Sequence, residues 1–180
     1  SPVRAGREIA VVVIAPARRA EAGWAVETPP ESVLADLAPF DAGLSRTLTA
    51  AEGWRRWALY ELRSLPRWSV GRMTLLGDAA HPTLPFLAQG GALALEDAAA
   101  LARCLAGAGP GDHAVTAALA DYERQRLQRS RRVVAAARRN GRIFHLSGPA
   151  ALARNMVLRL APPERMMQRW DWVDRKSTRL

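Results

Sequence analysis

Residues 71–92 read GRMTLLGDAAHPTLPFLAQGGA, and they decide most of what the sequence predicts. The apolar run at 73–76 predicts a short buried strand, and the glycine after it predicts a sharp turn. Asp78 follows that glycine, so its carboxylate is expected to project from the carboxyl end of the strand, where α/β sheets bind their ligands. It is placed there to accept hydrogen bonds from vicinal hydroxyls of a ligand. Capping of a nearby helix or turn is an equally consistent role.

Prolines and glycines shape the rest of this stretch. Pro82 and Pro85 fix the backbone φ angle and lack an N–H donor, so they make the loop rigid. Gly90 and Gly91 let the backbone approach a flat ring closely, and they begin a helix predicted to reach about Ala106. The free N–H groups at the start of that helix favour negative charge. The stretch therefore predicts a loop that seats a large polar cofactor against a helix N-terminus.

The uninterrupted run Gly77-Asp78-Ala79-Ala80-His81-Pro82, followed by Pro85 and Ala88-Gln89-Gly90, carries a family resemblance. It resembles the second flavin-binding signature of the class A flavoprotein aromatic hydroxylases, which are single-component FAD-dependent monooxygenases. The salicylate hydroxylase and 3-hydroxybenzoate 6-hydroxylase branch is the most similar. The likeness extends over roughly residues 5–173 and includes the flanking segments Gly6–Glu8, Trp68–Arg72, Glu96–Ala98, Tyr122–Arg126 and Asn140–His145.

The resemblance implies roles for individual residues. Asp78 would bind the ribityl chain of FAD, and the backbone near Pro85 would lie beside the reactive edge of the isoalloxazine ring. The N–H groups of Gly91 and Ala92 would stabilise the anionic reduced flavin. The predicted cofactor-binding residues are Gly77, Asp78, Ala79, Pro85, Gln89, Gly90, Gly91 and Ala92. The predicted catalytic residues are His81, Pro85 and Gln89.

Two of these residues have alternative interpretations. His81 is either a proton-transfer group or a hydrogen-bonded structural residue of the loop. The Gln89 side chain either faces the ring and the substrate or supports the residues that do.

No set of His, Cys and carboxylate residues has the spacing of metal ligands, so no metal is expected. No serine lies in a Gly-x-Ser-x-Gly motif, which disfavours a hydrolase.

The expected fold class is α/β, here an α+β fragment. We predict part of a substrate-domain β-sheet at 1–70, the FAD-binding strand-loop-helix at 71–107, C-terminal helices at 108–173 and a non-native tail at 174–180. The segments 71–107 and 108–173 would belong to a p-hydroxybenzoate hydroxylase-like FAD/NAD(P)-binding fold. Strands are predicted at 8–14, at 24–26 pairing back to the first, and at 57–62. Helices are predicted from an Asp112 N-cap to an Asn140-Gly141 C-terminal cap, and at 150–160.

The charge pattern raises the question of nucleic-acid binding, since the formal net charge is +9. A basic helix can lie along a phosphate backbone. A solvated helix face whose arginines pair with carboxylates is the alternative. We favour the alternative and expect no nucleic-acid partner, because no aromatic residues are interleaved with the arginines. The arginines concerned are Arg124, Arg126, Arg129, Arg131, Arg132, Arg138, Arg139 and Arg142.

Composition also bears on the location of the protein. The single cysteine, Cys104, excludes an internal disulfide and fits a reducing compartment, so a cytoplasmic location is expected. No apolar run is long enough to span a bilayer, and we expect no membrane association.

The resemblance implies a monooxygenase that uses FAD, NADH or NADPH, and O₂ to hydroxylate a small aromatic substrate, a salicylate-like phenolic acid. A homodimer is expected for the full-length enzyme. The alternatives are a non-catalytic binding module with an Arg-rich helix, and a related flavin hydroxylase of polyketide or quinone substrates.

The family's Gly-x-Gly-x-x-Gly turn, which seats the pyrophosphate, is missing from the 180 residues, as is its mid-chain Asp-Gly signature. We therefore expect a C-terminal fragment without the N-terminal FAD-binding half. Such a chain would retain FAD weakly or not at all and would be inactive alone.

Overall fold

A computed structural model describes residues 2–15, 25–37, 42–51 and 53–174. The chain divides into two compact units, Ser1–Leu59 and Tyr60–Leu180. Residues 60–70 thus belong to the second unit, whereas the predicted division into segments begins a new one at 71. That division stays a prediction. The mixed class is confirmed, since the described residues form both helices and short strands, with all the strands before residue 75 and the long helices from residue 90 onward.

The described part of the first unit contains short antiparallel strand pairs and two helices. Its elements are β1 Pro2–Val3, β2 Glu8–Ile9, β3 Val26–Thr28, α1 Pro30–Leu37, α2 Ala42–Thr49 and β4 Trp54–Arg56. Strand β1 pairs with β2, and β3 pairs with β4 so that Val26 lies opposite Arg56. Leu37 and Leu48 are buried.

Three strand predictions in this region were wrong. The strand expected at 8–14 is limited to Glu8–Ile9, because its assigned partner β1 is only two residues long; Val12 is 82% exposed. Val26 pairs with β4 and not with the first strand. Trp24, predicted to share in that pairing, lies outside the described residues. The strand expected at 57–62 lies earlier, at Trp54–Arg56, where β3 supplies a partner.

The second unit is built on one long helix. Its elements are β5 Ser69–Val70, β6 Met73–Thr74, α3 Gly90–Ala106, α4 Asp112–Phe144, α5 Gly148–Leu160, α6 Pro163–Gln168 and α7 Asp171–Asp174. Helix α4 packs against α3 and against the β5–β6 hairpin. The core consists of Trp68, Ala80, Ala100 and Tyr122, with Leu65, Leu101, Cys104 and Leu127 packed around it.

The helix predictions here were largely right, and α3 begins and ends where expected. The cap predictions for α4 were wrong. Asp112 is the first residue of the helix, Gly111 precedes it at φ +105°, and the Asp112 carboxylate pairs with Arg72 at 3.0 Å. The helix continues through Asn140 and Gly141 to Phe144, and both of those residues are buried inside it.

The strand predicted at 73–76 covers only Met73–Thr74 and is not buried. Met73 is 73% exposed, because β6 pairs only with β5 among the described residues. The segment nevertheless leads directly into the turn that carries Asp78.

Candidate functional site

The Gly77 turn directs the chain from β6 into the loop. Residues Gly77–Ala79 form a single 3-10 turn, and Gly77 has φ +58°, a left-handed conformation that glycine adopts without strain. A Cβ on Gly77 would lie 3.3 Å from the Cβ of Ala94, so helix α3 packs closely on the turn. The N–H groups of Ala80 and His81 both donate to the Gly77 carbonyl at 2.9 Å. The turn is thus fixed by backbone bonds and by close packing.

Asp78 projects from this turn to the exposed side, beside the start of α3. Its Oδ1 lies 3.9 Å from the position that a Cβ on Gly90 would occupy. Among the described residues Asp78 has no hydrogen-bond partner, so the capping role that the sequence left open is not realised there. The carboxylate therefore remains accessible to a ligand.

The N-terminus of α3 lacks its own caps. The Gln89 side chain makes no capping hydrogen bond, and the first turn contains no acidic residue. No atom lies within 4 Å of an ideal Cβ on Gly91, which leaves open space above the helix end. The first N–H groups of a helix need an acceptor, and the helix dipole favours a negative one. Together with Asp78 they fit a flat, acceptor-rich ring that carries a hydroxylated chain, which is the chemistry of a flavin.

The proline loop is held from behind by the end of α4. Pro85–Leu87 form a second 3-10 turn, which ends at Ala88 with φ +51°. Asn140 Nδ2 donates to the Phe86 carbonyl at 3.2 Å, and the Phe86 ring lies directly over Gly141. Pro85 is exposed and Gln89 is half-buried. The loop thus leaves its proline exposed while α4 fixes its position.

Beneath the loop lies the buried carboxylate of Asp97, which contacts the loop, the Gly77 turn and helix α4. Asp97 on α3 is fully buried, and His81 Nε2 contacts its Oδ2 at 2.5 Å. Arg126 Nε on α4 donates to Asp97 Oδ1 at 2.7 Å, and the Gly77 N–H donates to Oδ2 at 3.3 Å. Burial raises the pKa of Asp97, but the bonds from His81 and Arg126 outweigh it and leave that pKa below its ordinary value. Asp97 is thus ionised and links the signature turn to α4.

The ion pairs continue along the surface between α3 and α4. Arg126 Nη2 lies 2.8 Å from Glu96 Oε2, and Arg129 binds both Glu96 oxygens, each at 2.6 Å. Burial raises the pKa of Glu96, but the bonds from both arginines lower it by more, and Glu96 in turn raises the pKa of Arg129. These bonds clamp the two helices that flank the loop.

Tyr122 and Glu123 attach the β5–β6 hairpin to α4. The Tyr122 hydroxyl donates to the Leu75 carbonyl at 3.1 Å, and burial raises the pKa of that phenol. Glu123 Oε2 accepts from the N–H groups of Trp68 at 2.9 Å and Ser69 at 2.7 Å. Tyr122 and Glu123, the first residues of the segment 122–126, therefore position the strand that precedes Asp78.

Several arginines of α4 make internal contacts. Arg131 donates to the Leu65 and Pro66 carbonyls, and Arg138 pairs with Glu61. With Arg126 and Arg129, these contacts favour the structural interpretation of the basic helix over nucleic-acid binding.

Sequence comparison places the chain in a family. Residues 1–137 match the family described as FAD binding domain. The chain belongs to this FAD-binding family. It is 33% identical over 172 residues to a 3-hydroxybenzoate 6-hydroxylase of Polaromonas naphthalenivorans, covering 96% of this chain and 42% of the relative. It is 38% identical over 151 residues to the 3-amino-4-hydroxybenzoate 2-monooxygenase PtnB3 of Streptomyces platensis, covering 83% of this chain and 37% of that protein.

A solved structure supports the fold of this FAD-binding family member. The structure of a salicylate hydroxylase substrate complex matches with a TM-score of 0.71 at 24% identity, over 88% of this chain and 38% of that one. The chain therefore spans less than half the length of these relatives. The resemblance to the class A flavoprotein aromatic hydroxylases, with FAD as cofactor, is confirmed.

The sequence-predicted site residues of this flavoprotein differ in their exposure. Asp78, Pro85, Gly91 and Ala92 lie on the exposed side of the segment, whereas His81 is only 5% exposed and points to Asp97. Proton transfer by His81 stays a prediction, and its surroundings favour the structural alternative. Gly77 is buried and shapes the turn. The cofactor-binding and catalytic roles of all the predicted site residues, Ala79, Gln89 and Gly90 included, stay predictions.

Neither a metal-binding cluster nor a membrane-spanning helix is found in the part of the chain that the structure describes. Across residues 2–15, 25–37, 42–51 and 53–174, no three His, Cys, Asp or Glu side chains cluster in a way that could hold a metal ion. None of the helices in the described ranges has the length and apolar character of a transmembrane span.

Sequence reasoning missed the role of Asp97, although the sequence contained a signal for it. The buried positions of α3 are Leu93, Asp97 and Ala100, which recur at helical spacing. A carboxylate within such a stripe must find a partner, because an isolated buried charge is costly. Arg126 occupies a comparable buried position on α4. The pair was therefore detectable as two opposite charges on two apolar helix faces.

The lowered pKa values of Asp97 and Glu96 predict acid sensitivity. A carboxyl whose folded-state pKa is lowered stabilises the fold above its ordinary value, and that stability is lost as pH falls through the folded pKa. We expect the free energy of unfolding to fall with pH below the ordinary values of 4.5 for Glu96 and 3.8 for Asp97. Urea unfolding at neutral pH and at successively lower pH measures this. The Asp97→Asn variant should lose less stability on acidification than the wild type; an equal loss would contradict the assignment.

Proposed function

We propose that this chain provides the ring- and ribityl-binding part of the FAD site in a monooxygenase that hydroxylates a phenolic acid with NADH or NADPH and O₂. The observation that carries the proposal is the exposed Asp78 carboxylate beside the uncapped start of α3. The names of the relatives, which act on hydroxybenzoates, support an aromatic acid as substrate. The chain spans 42% and 37% of the length of those relatives, so their whole reaction is assigned to it only as a proposal.

Each residue of the site has a physical task in this proposal. Asp78 accepts hydrogen bonds from the ribityl hydroxyls, as a carboxylate accepts from any vicinal diol. Gly90 and Gly91, without side chains, let the ring approach the backbone. The N–H groups of Gly91 and Ala92 face the acceptor edge of the ring, where the helix dipole favours negative charge.

The remaining site residues act at the other edge of the ring. Pro85 offers its carbonyl there without a competing N–H and lies where substrate and O₂ would meet. Gln89 stands between this loop and α3, and its amide would orient the ring or the substrate. Bound FAD supplies hydride acceptance from the nicotinamide and the activation of O₂. His81 holds the loop in place through Asp97.

Flavin titration tests this proposal. The 180 residues contain no Gly-x-Gly-x-x-Gly turn for the pyrophosphate, so we expect weak binding, and no stoichiometric FAD should copurify. Because the contacts are limited to the ring and the ribityl chain, riboflavin should bind about as well as FAD. Equilibrium dialysis of the purified chain with each flavin measures both affinities. FAD binding far tighter than that of riboflavin would contradict the proposed half-site.

A pair of aspartate variants tests the role of Asp78. Losing a charge-assisted hydrogen bond should weaken the binding of both flavins about tenfold in Asp78→Asn. Asp112→Asn is the matched control, because Asp112 is also an exposed aspartate at the start of a helix, paired with Arg72. Its flavin affinity should equal that of the wild type. If Asp78→Asn binds flavin as well as Asp112→Asn does, the ribityl assignment is wrong.

A further inference from the structure

Two polar atoms beneath the signature loop are buried without a partner. His81 Nδ1 and Ser130 Oγ make no hydrogen bond to any described residue. His81 is 5% exposed and Ser130 is fully buried. Leaving a buried polar group unsatisfied costs free energy, so native structures almost always provide a partner, which is either a protein group or an ordered water.

Both residues line the same small cavity. It lies between the loop and α4 and has a volume of about 10 Å³. Such a volume is close to the minimum that holds one water molecule. An apolar cavity stays dry, but the residues that line this one include His81 and Ser130, each of which has an unpartnered buried polar atom. Its other lining residues include Leu65, Trp68, Ala80, Leu127 and Val134.

The contacts of His81 decide what Nδ1 can do. Asp97 is ionised and already accepts from Arg126, so His81 Nε2 must donate its proton to Oδ2. Nε2 is therefore committed to Asp97, and Nδ1 is the polar atom of the ring that is left for another partner.

We propose that this cavity is a structural water site, in which one internal water makes a hydrogen bond with His81 Nδ1 and another with Ser130 Oγ. The water completes a chain of polar contacts. This chain starts at Arg129 on α4, passes through Glu96, Arg126, Asp97 and His81, and returns through the water to Ser130 on α4. It fixes the plane of the imidazole, which packs on Trp68 at a centroid distance of 5.5 Å. His81 is thereby a positioning residue for the loop, and the inference does not depend on the flavin function.

A crystal structure of the 180-residue chain at a resolution that shows ordered waters tests the site. We expect one water within about 2.7–3.2 Å of both His81 Nδ1 and Ser130 Oγ. A dry cavity, or a direct bond between the two side chains, would overturn the proposal. This measurement does not require a variant to fold.

A serine pair supplies the mutational test. Ser130→Ala removes one of the two polar partners of the water and should lower the melting temperature by about 2–6 °C. Ser147→Ala is the matched control, since Ser147 is exposed and its side chain makes no capping bond; its melting temperature should not change. If both variants melt like the wild type, Ser130 is not a partner and the site is refuted.

Discussion

Replacing Asp97 with alanine is expected to lower the free energy of unfolding by about 3–5 kcal/mol, because it breaks a buried ion pair from one side. Arg126, whose side chain is 5% exposed, would keep only the partial contact with Glu96. His81 Nε2 and the Gly77 N–H would both lose their acceptor. The loss therefore reaches the signature turn as well as the packing of α3 on α4.

Urea unfolding followed by tryptophan fluorescence measures this change, since Trp68 lies in the core beside His81. The matched control is Asp121→Ala. This variant also breaks an aspartate–arginine pair, but one whose two residues both lie on α4. That pair, with Arg124 at 2.6 Å, has side chains 50% and 73% exposed, so its loss should cost at most about 1 kcal/mol. Equal stabilities of the two variants would show that the buried contacts of Asp97 stabilise this unit no more than an exposed ion pair does.

An intermediate variant separates charge from volume. Asp97→Asn keeps the size of the side chain, and its one amide oxygen can still accept hydrogen bonds, but it leaves Arg126 without its buried counter-ion. We expect its stability to lie between those of the wild type and Asp97→Ala. Should Asp97→Ala prove unfolded, this variant still allows the contribution of the charge to be measured.

Local chemistry predicted the part of the site that depends on neighbours in sequence. The glycine pair before an alanine- and leucine-rich repeat placed the start of α3 correctly at Gly90. The Gly77-Asp78 pair predicted a sharp turn that carries a carboxylate, and Gly77 does adopt a left-handed conformation. These features follow from backbone preferences that act within a few residues.

Tertiary partners decided what the sequence could not predict. The β-branched run at 8–14 has a high strand propensity, yet a strand extends only as far as its partner, and β1 is two residues long. The interior position of His81 follows from Asp97, sixteen residues away, and from Arg126 on another helix. A loop histidine gives no local sign of such partners.

The wrong prediction of a cap at Asn140-Gly141 has an instructive cause. A glycine after an asparagine is typical of a helix end, where it adopts a left-handed conformation. Glycine is also required where another chain segment touches a helix backbone, and the two requirements look alike in sequence. Here α4 continues to Phe144, and Gly141 lies beneath the Phe86 ring. Asn140 binds the Phe86 carbonyl instead of closing the helix.

Gly141→Leu is therefore expected to destabilise the protein by about 3 kcal/mol, at the upper end of the cost of overpacking. A Cβ at this position would lie 2.6 Å and 2.7 Å from two carbons of the Phe86 ring, so ring and loop would have to move. Intrinsic helix propensity acts in the opposite direction, since leucine is favoured over glycine by up to about 1 kcal/mol inside a helix. The sign of the change thus distinguishes close packing from a simple helical position. Urea unfolding gives that sign, and a variant more stable than the wild type would contradict the contact.

A double-mutant cycle identifies Phe86 as the group that clashes. Phe86→Ala alone should destabilise the protein, because it removes the half-buried ring that packs on Phe144 and His145. In the Phe86→Ala background, Gly141→Leu should cost far less or become stabilising, since leucine can occupy the space of the ring. A coupling free energy of about 1–3 kcal/mol is expected for two groups in direct contact. Strict additivity would mean that Gly141 acts on α4 alone, and that the Phe86 ring does not limit the size of the residue at this position.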